Sequence, residues 1–436
     1  MTPPDAPPAP VTRIPPINFD GPLGRRIIET HIWAVQAGLR GAAAYELFDG
    51  FCQRLVIDGI ALWRAYAAME TLHPQWDGYG YTWRRDLNAI QPEQYGHGGE
   101  DAPQWLNSPF YDLIRRARSG EDEPSMRRRL EVGPEQRDFP VLDEFFAAGA
   151  TDYFGRLFSF GKDGDRSHGT GIVYSFMTDR RGGFGDDDIA LLQATLPGLS
   201  LAMKADAGHV IASGLLGTYL GEDAGRRVHA GAVERGSVSS MRAVLWYADI
   251  RGFTATTDAA PGPIVIDLLN DVFETLTAAI RTRGGQVLKF IGDAMLATFS
   301  LEGDPAETCQ RALDAAAEAM QSLDALGAAR AAAGLPGVSV DLALHLGEVL
   351  YGNVGAADRL DFTVIGPAVN EVARIEALCE PLGRQVLVSA EFVAADRRAG
   401  GALESLGFHA LRGVRERKEI FALTVGAAHP DAAAAS

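Results

Sequence analysis

Residues 244–254 read VLWYADIRGFT. An apolar run, Val244-Leu245-Trp246, leads into the carboxylate of Asp249, and Arg251-Gly252-Phe253-Thr254 follow at once. A buried strand that stops on a charge and then turns delivers that charge to the end of a sheet. A second carboxylate, Asp293, sits between the apolar runs QVLKFI and AMLATF, in the Gly292-Asp293 step that reads as a β-hairpin tip. Neighbouring strands bring the two aspartates together. Facing carboxylates repel unless a cation lies between them. Mg²⁺ is commonly held by one or two carboxylates with water and substrate phosphates. Either aspartate alone equally suits an ordinary turn; the pair in these two contexts points to a metal. After Asp249, a glycine-containing loop leading into a helix N-terminus suits a phosphate.

Working outward, residues 242–249 are a strand. Val265, Leu268, Leu269, Val272, Phe273, Leu276 and Ile280 recur at helical spacing, and Gly284-Gly285 ends that helix. The hairpin follows, then an alanine-rich helix over 305–333, a strand over 338–346, the short strand DFTVIG and the helix PAVNEVARIEALC. The order β-α-β-β-α-β with additions predicts an α/β fold of the α+β kind with a ferredoxin-like core. His345, on an apolar strand, reads as a structural histidine.

The first half is less explicit. Residues 1–20 are proline-rich and read as a disordered tail. Residues 25–86 read mainly helical, and 92–150 as polar loops with short helical pieces. TDYFGRLFSFG and IVYSFMT, joined by a polar turn, predict a hairpin. The segment that follows carries Asp186-Asp187-Asp188 at a helix start, with Ile189, Leu192, Leu196 and Leu199 on one face. The aromatic and basic residues Trp76, Tyr79, Tyr81, Trp83, Arg84 and Arg85 read as packing and surface. Residues 206–238 read as a glycine-rich coupling linker of small helical pieces, and 427–436 as a disordered tail.

The totals bound the function. The chain has 436 residues, enough for two or three domains, and 47% of them are hydrophobic. No long charge-free apolar run suggests a transmembrane helix, and the N-terminus lacks the apolar core of a secretory signal. Three scattered cysteines fit a reducing, cytoplasmic setting. The net charge of −17 opposes non-specific binding to nucleic acid or an anionic membrane. The same acidity, without a basic template groove, disfavours a polymerase-type palm.

VLWYADIRGFT, VLKFIGDAMLATF, HLGEVLYGNVG, DFTVIGPAVNEVARIE and LRGVRERKEIFAL occur in that order. Together they resemble the catalytic domain of class III nucleotidyl cyclases over residues 239–426. The hairpin and helix at 151–205 resemble the end of GAF-type sensory domains, which makes 21–205 a GAF-like sensory region by resemblance.

The cyclase resemblance implies an adenylate cyclase that converts ATP to 3′,5′-cyclic AMP and pyrophosphate. It implies that Asp249, Asp293 and the backbone of Ile250 hold two Mg²⁺ ions, with Mn²⁺ able to substitute. Phe253 and Thr254 match the triphosphate loop, Lys289 and Thr363 the residues that read adenine, and Asn370 and Arg374 those that orient the ribose and stabilise the transition state. Asn370 and Arg374, four residues apart on a helix, share one face. Lysine at position 289 donates to adenine, whereas a guanine reader would carry an acid there. Thr363 stands where aspartate is commoner, as in a subgroup that includes bicarbonate-responsive enzymes, so bicarbonate or CO₂ response is a further expectation. The family's Lys-Gly is Arg412-Gly413 here, and either Arg412 or Lys418 supplies the phosphate-binding charge. The resemblance implies a homodimer with active sites at the subunit interface, its N-terminal region receiving an unidentified small-molecule or protein signal. The rival readings are a guanylate cyclase and a catalytically silent nucleotide-sensing module.

Overall fold

The computed structural model describes residues 20–74, 76–87, 89–99, 102–160, 171–396 and 402–424. Both expected tails, apart from Asp20, and the turn of the 151–178 hairpin lie outside these residues. The chain divides into two compact units, Met1–Leu215 and Leu216–Ser436. Among the described residues, no helix is long and apolar enough to cross a membrane.

The first unit is a mixed α/β domain. Its helices are α1 (Pro22–Leu39), α2 (Ala44–Ile57), α3 (Pro103–Leu106), α4 (Pro109–Arg118), α5 (Pro140–Ala147) and α6 (Asp186–Leu220). Its strands are β1 (Leu62–Glu70), β2 (Trp76–Arg84), β3 (Ala89–Gly96), β4 (Ser125–Arg129), β5 (Asp152–Ser159) and β6 (Gly171–Thr178), in the order β3-β2-β1-β6-β5-β4. The β5–β6 pairing is the expected antiparallel hairpin. One core joins the sheet to α1, α2 and α6 through Ile27, Phe48, Phe51, Phe176 and Leu196. A second core joins its other face to α4 and α5 through Leu113, Leu142, Tyr153 and Met177.

The structure corrects the helical reading of 25–86. LWRAYAAME is alanine-rich and therefore reads as helix, yet it forms β1, burying Leu62, Ala65, Ala67 and Met69 and pairing on both sides. Strands β3 and β4 likewise interrupt the stretch read as loops and short helices. The 206–238 stretch also differs. Helix α6 runs unbroken to Leu220, then α7 (Glu222–His229) follows. Gly225 is needed for proximity: a Cβ there would come within 2.7 Å of the Leu216–Gly217 backbone. Leu220 and Ala224 pack into a core of the second unit.

The second unit contains β7 (Val238–Ile250), α8 (Phe253–Ala259), α9 (Gly262–Thr282), β8 (Gln286–Ile291), β9 (Ala294–Ser300), α10 (Pro305–Ala332) and β10 (Val340–Gly355). Then come β11 (Leu360–Ile365), α11 (Pro367–Glu376), α12 (Cys379–Leu382), β12 (Val386–Ser389), α13 (Ala390–Ala395), β13 (Leu403–His409) and β14 (Lys418–Leu423). The sheet order is β13-β14-β12-β10-β7-β9-β8, with β11 paired to β10. Within it, β10-β7-β9-β8 is antiparallel throughout, which is the expected βαββαβ core.

Strand β7 is apolar on both faces because both are covered. Val244, Trp246, Ala248 and Ile250 join the core beneath α9 and α10. Leu245 and the partly buried Tyr247 join the opposite core with Val372 and Ile375 of α11. Alternation therefore puts Asp249 on the α11 side of the sheet. Burying Trp246 and its neighbour Phe299, centroids 6.2 Å apart, is worth roughly 2–3 kcal/mol per side chain.

Candidate active site

Asp249 ends β7 opposite Ala294, the residue after Asp293, so strand register brings the two aspartates together. Gly292, with φ of 65°, makes the tight turn that presents Asp293 at the hairpin tip. Burial, then the charge of Asp293, pushes the Asp249 carboxyl up to about 6. This is the signature of carboxylates crowded without a counter-charge, and it fits a cation between them. Among the described residues no group of three or more His, Cys, Asp or Glu side chains forms a metal cage. Two carboxylates, with phosphate and water completing the shell, are the arrangement that Mg²⁺ accepts.

Three residues around this pair escaped the sequence reading. Asp341, buried in β10, lies directly opposite Asp249. Arg251 donates from Nε to Asp341 at 3.0 Å, and its Nη2 makes a second bond to the same carboxylate. Glu376, at the end of α11, is pushed up to about 7 by burial and then by Asp249, Asp341 and Asp293. A charged residue inside the apolar run VDLALHL was the available signal for Asp341. Nothing in the sequence links Glu376 to Asp249 without the packing of α11 on β7 and β10.

Asn370 and Arg374 project from α11 into a surface cleft of about 670 Å³ that Arg412 and Gly413 also line. An adjoining cleft of about 450 Å³ shares Asn370, Arg374 and Gly413. Neither lining includes Asp249, Asp293 or Lys289. Arg412 and Lys418 are thereby distinguished. Lys418 donates to Glu391 at 2.5 Å and stands 3.8 Å from Glu371, in a cluster with buried His345. Burial pushes the His345 imidazole below its ordinary range.

Lys289, on β8, forms an ion pair with Asp361 on β11 at 2.8 Å. Thr363 is buried two residues further along β11, and its Oγ1 has no hydrogen-bond partner. Ile250 is buried under the sheet, while Phe253 and Thr254 open α8 immediately after the Asp249 turn.

Residues 238–425 match the adenylate and guanylate cyclase catalytic domain. These residues belong to that family. The cyclase domain is 37% identical over 165 residues to an adenylate cyclase of Anabaena cylindrica, covering 37% of this chain and 32% of that protein. It is 28% identical over 148 residues to adenylate cyclase 1 of Rhizobium meliloti, covering 34% and 22% respectively. The chain thus spans about a third or less of the length of these curated relatives. A solved bacterial light-regulated adenylyl cyclase aligns with 26% identity and a TM-score of 0.44, over 55% of this chain and 66% of that one. The five sequence motifs all fall within the matched cyclase domain.

Proposed function

We propose that the protein is an adenylate cyclase, forming 3′,5′-cyclic AMP and pyrophosphate from ATP in sites shared between two copies of the chain. One observation carries the reading: Asp249 and Asp293 meet at one end of the sheet, crowded enough to raise the Asp249 pKa. Divalent ions bound there, Mg²⁺ or Mn²⁺, would acidify the ribose 3′-hydroxyl and offset the triphosphate charge.

The chain's own residues do the rest. The Ile250 carbonyl adds a ligand, and the Phe253-Thr254 turn offers backbone N–H groups to the triphosphate. Lys289 donates to the base while the Thr363 hydroxyl, free of internal partners, accepts from its amine. Asn370 orients the ribose. The 3′-oxygen forms a bond to the α-phosphorus as the bond to the bridging oxygen of pyrophosphate breaks. Arg374 offsets charge growing on the α-phosphate. Arg412, on the same cleft wall, faces the phosphates in preference to Lys418, whose charge is already met by Glu391.

Separation of the Asn370/Arg374 clefts from the aspartate pair supports completion of each site by a second copy. Residues 21–205, a GAF-like sensory region in this reading, regulate that pairing through the 206–238 stretch. Turnover of ATP and of GTP, each with Mg²⁺ and with Mn²⁺, tests the proposal. ATP preference supports it, GTP preference makes the protein a guanylate cyclase, and inactivity with both makes it a nucleotide-binding module. Removal of residues 1–205 should alter specific activity; unchanged activity and dimerisation would remove the regulatory role.

A further inference from the structure

We infer that Asp361 is a positioning residue that sets nucleobase preference by holding Lys289 beside Thr363. The inference rests on the adenylate cyclase reading and adds a residue that no motif singled out.

Phe362 and Val364 of β11 point into the core shared with Tyr351 and Leu387. Asp361 and Thr363 therefore share the opposite face of the strand. Lys289 reaches that face from β8, 72 positions away in sequence, and its Nζ donates to Asp361 Oδ2 at 2.8 Å. The three groups differ in hydrogen-bond capacity. An ammonium only donates, an ionised carboxylate only accepts, and a hydroxyl does both. Thr363 Oγ1 is buried and has no partner, so its capacity is unspent.

The pair has two effects. It fixes a side chain with four rotatable bonds in one direction, so less ordering remains when the base arrives. It also occupies Asp361. An unengaged carboxylate at this face would accept from the ring N–H and exocyclic amine of guanine, which adenine cannot match. Bound to Lys289, that carboxylate is screened, and the ammonium and the hydroxyl remain to meet the acceptor nitrogen and the amine of adenine. Asp361 is more than half exposed and Lys289 about one-third. An ion pair so exposed contributes little to folding, so its removal leaves a folded protein in which recognition alone is read.

The test compares the wild type, Asp361→Asn, Asp361→Ala and Lys289→Ala as full-length chains. It measures kcat/KM for ATP and GTP, and affinity for fluorescent N-methylanthraniloyl-ATP and N-methylanthraniloyl-GTP. The expected result is a fall of at least about tenfold in the ATP-to-GTP ratio for both Asp361 variants, expressed in KM and affinity more than in kcat. Lys289→Ala should produce a similar collapse, and Asp361→Ala added to it should change little further. Equal losses for both nucleotides, or an unchanged ratio, overturn the inference. A wild type that prefers GTP overturns the adenylate reading instead; the Asp361 assignment then survives only if its variants still shift the ratio. The binding ratio decides the matter even where turnover is undetectable.

Discussion

Asp341 stands directly opposite Asp249 in the antiparallel register of β7 and β10, and Arg251 clasps it through two hydrogen bonds. The arginine thus neutralises the buried neighbour of the carboxylate pair and leaves that pair itself open. It also ties the turn after Asp249 to β10, since the Arg251 N–H donates to the Ser339 carbonyl at 2.8 Å.

Arg251→Ala strands the Asp341 carboxylate, whose side chain is 7% exposed, beside two other acids. The expected cost is about 2 kcal/mol, less than for a wholly buried pair because the guanidinium is partly solvated. Adding Asp341→Asn should recover most of it. Chemical denaturation of both variants checks this; equal destabilisation of the single and double variants refutes the coupling.

The raised Asp249 pKa makes a prediction about stability without metal. The folded state holds a proton that the unfolded state has released between pH 3.8 and about 6. Stability therefore falls as pH rises through that window and stays lower above it. Asp249→Asn should melt higher than the wild type at pH 8, on the order of a few °C, and not at pH 4. Added Mg²⁺ or Mn²⁺ should raise the wild-type Tm and leave the variant unmoved. Calorimetry at both pH values is the check.

Shared sites predict complementation. Asp249→Ala and Arg374→Ala should each lower turnover at least about 100-fold while remaining folded. Co-expressed, they form mixed dimers with one intact site, and activity should return to about a quarter of the wild type for random pairing of a two-fold dimer. Failure of the mixture to exceed either variant means that one chain supplies a whole site.

His345 is buried between Glu371, Glu391 and Lys418, and burial lowers its pKa from 6.5. The unfolded chain then takes up a proton that the folded one refuses, so stability present above pH 6.5 is lost as pH falls through the folded value. His345→Gln should flatten the slope of Tm against pH between roughly 5 and 7. An unchanged slope would assign the dependence to another group.

The second unit was the more readable half. Its helices show a clean apolar stripe, as at Leu268, Val272 and Leu276, and its hairpin is marked by Gly292-Asp293 between two apolar runs. The first unit hid its strands where alanine and charge dilute alternation, as in β1. Glycines at 208, 214 and 217 suggested a broken linker, but α6 continues through them. At the site, Asp249 and Asp293 declared themselves through local context. Arg251–Asp341, Glu376 and Lys289–Asp361 depend on strand register and helix packing across 72 residues or more, which no local pattern carries.

The two-sided burial of β7 also gives the strand a reading frame. Even-numbered residues from Val244 to Ile250 fill the Trp246 core, and odd-numbered ones face α11. Inserting or deleting one residue upstream of Asp249 would exchange the two sets. The carboxylate would then press into the apolar layer beneath α9 and α10, and Trp246 would meet α11. The core residues thus enforce the parity of the metal site, and evolution can lengthen the loops around Asp249 far more freely than the strand that ends on it.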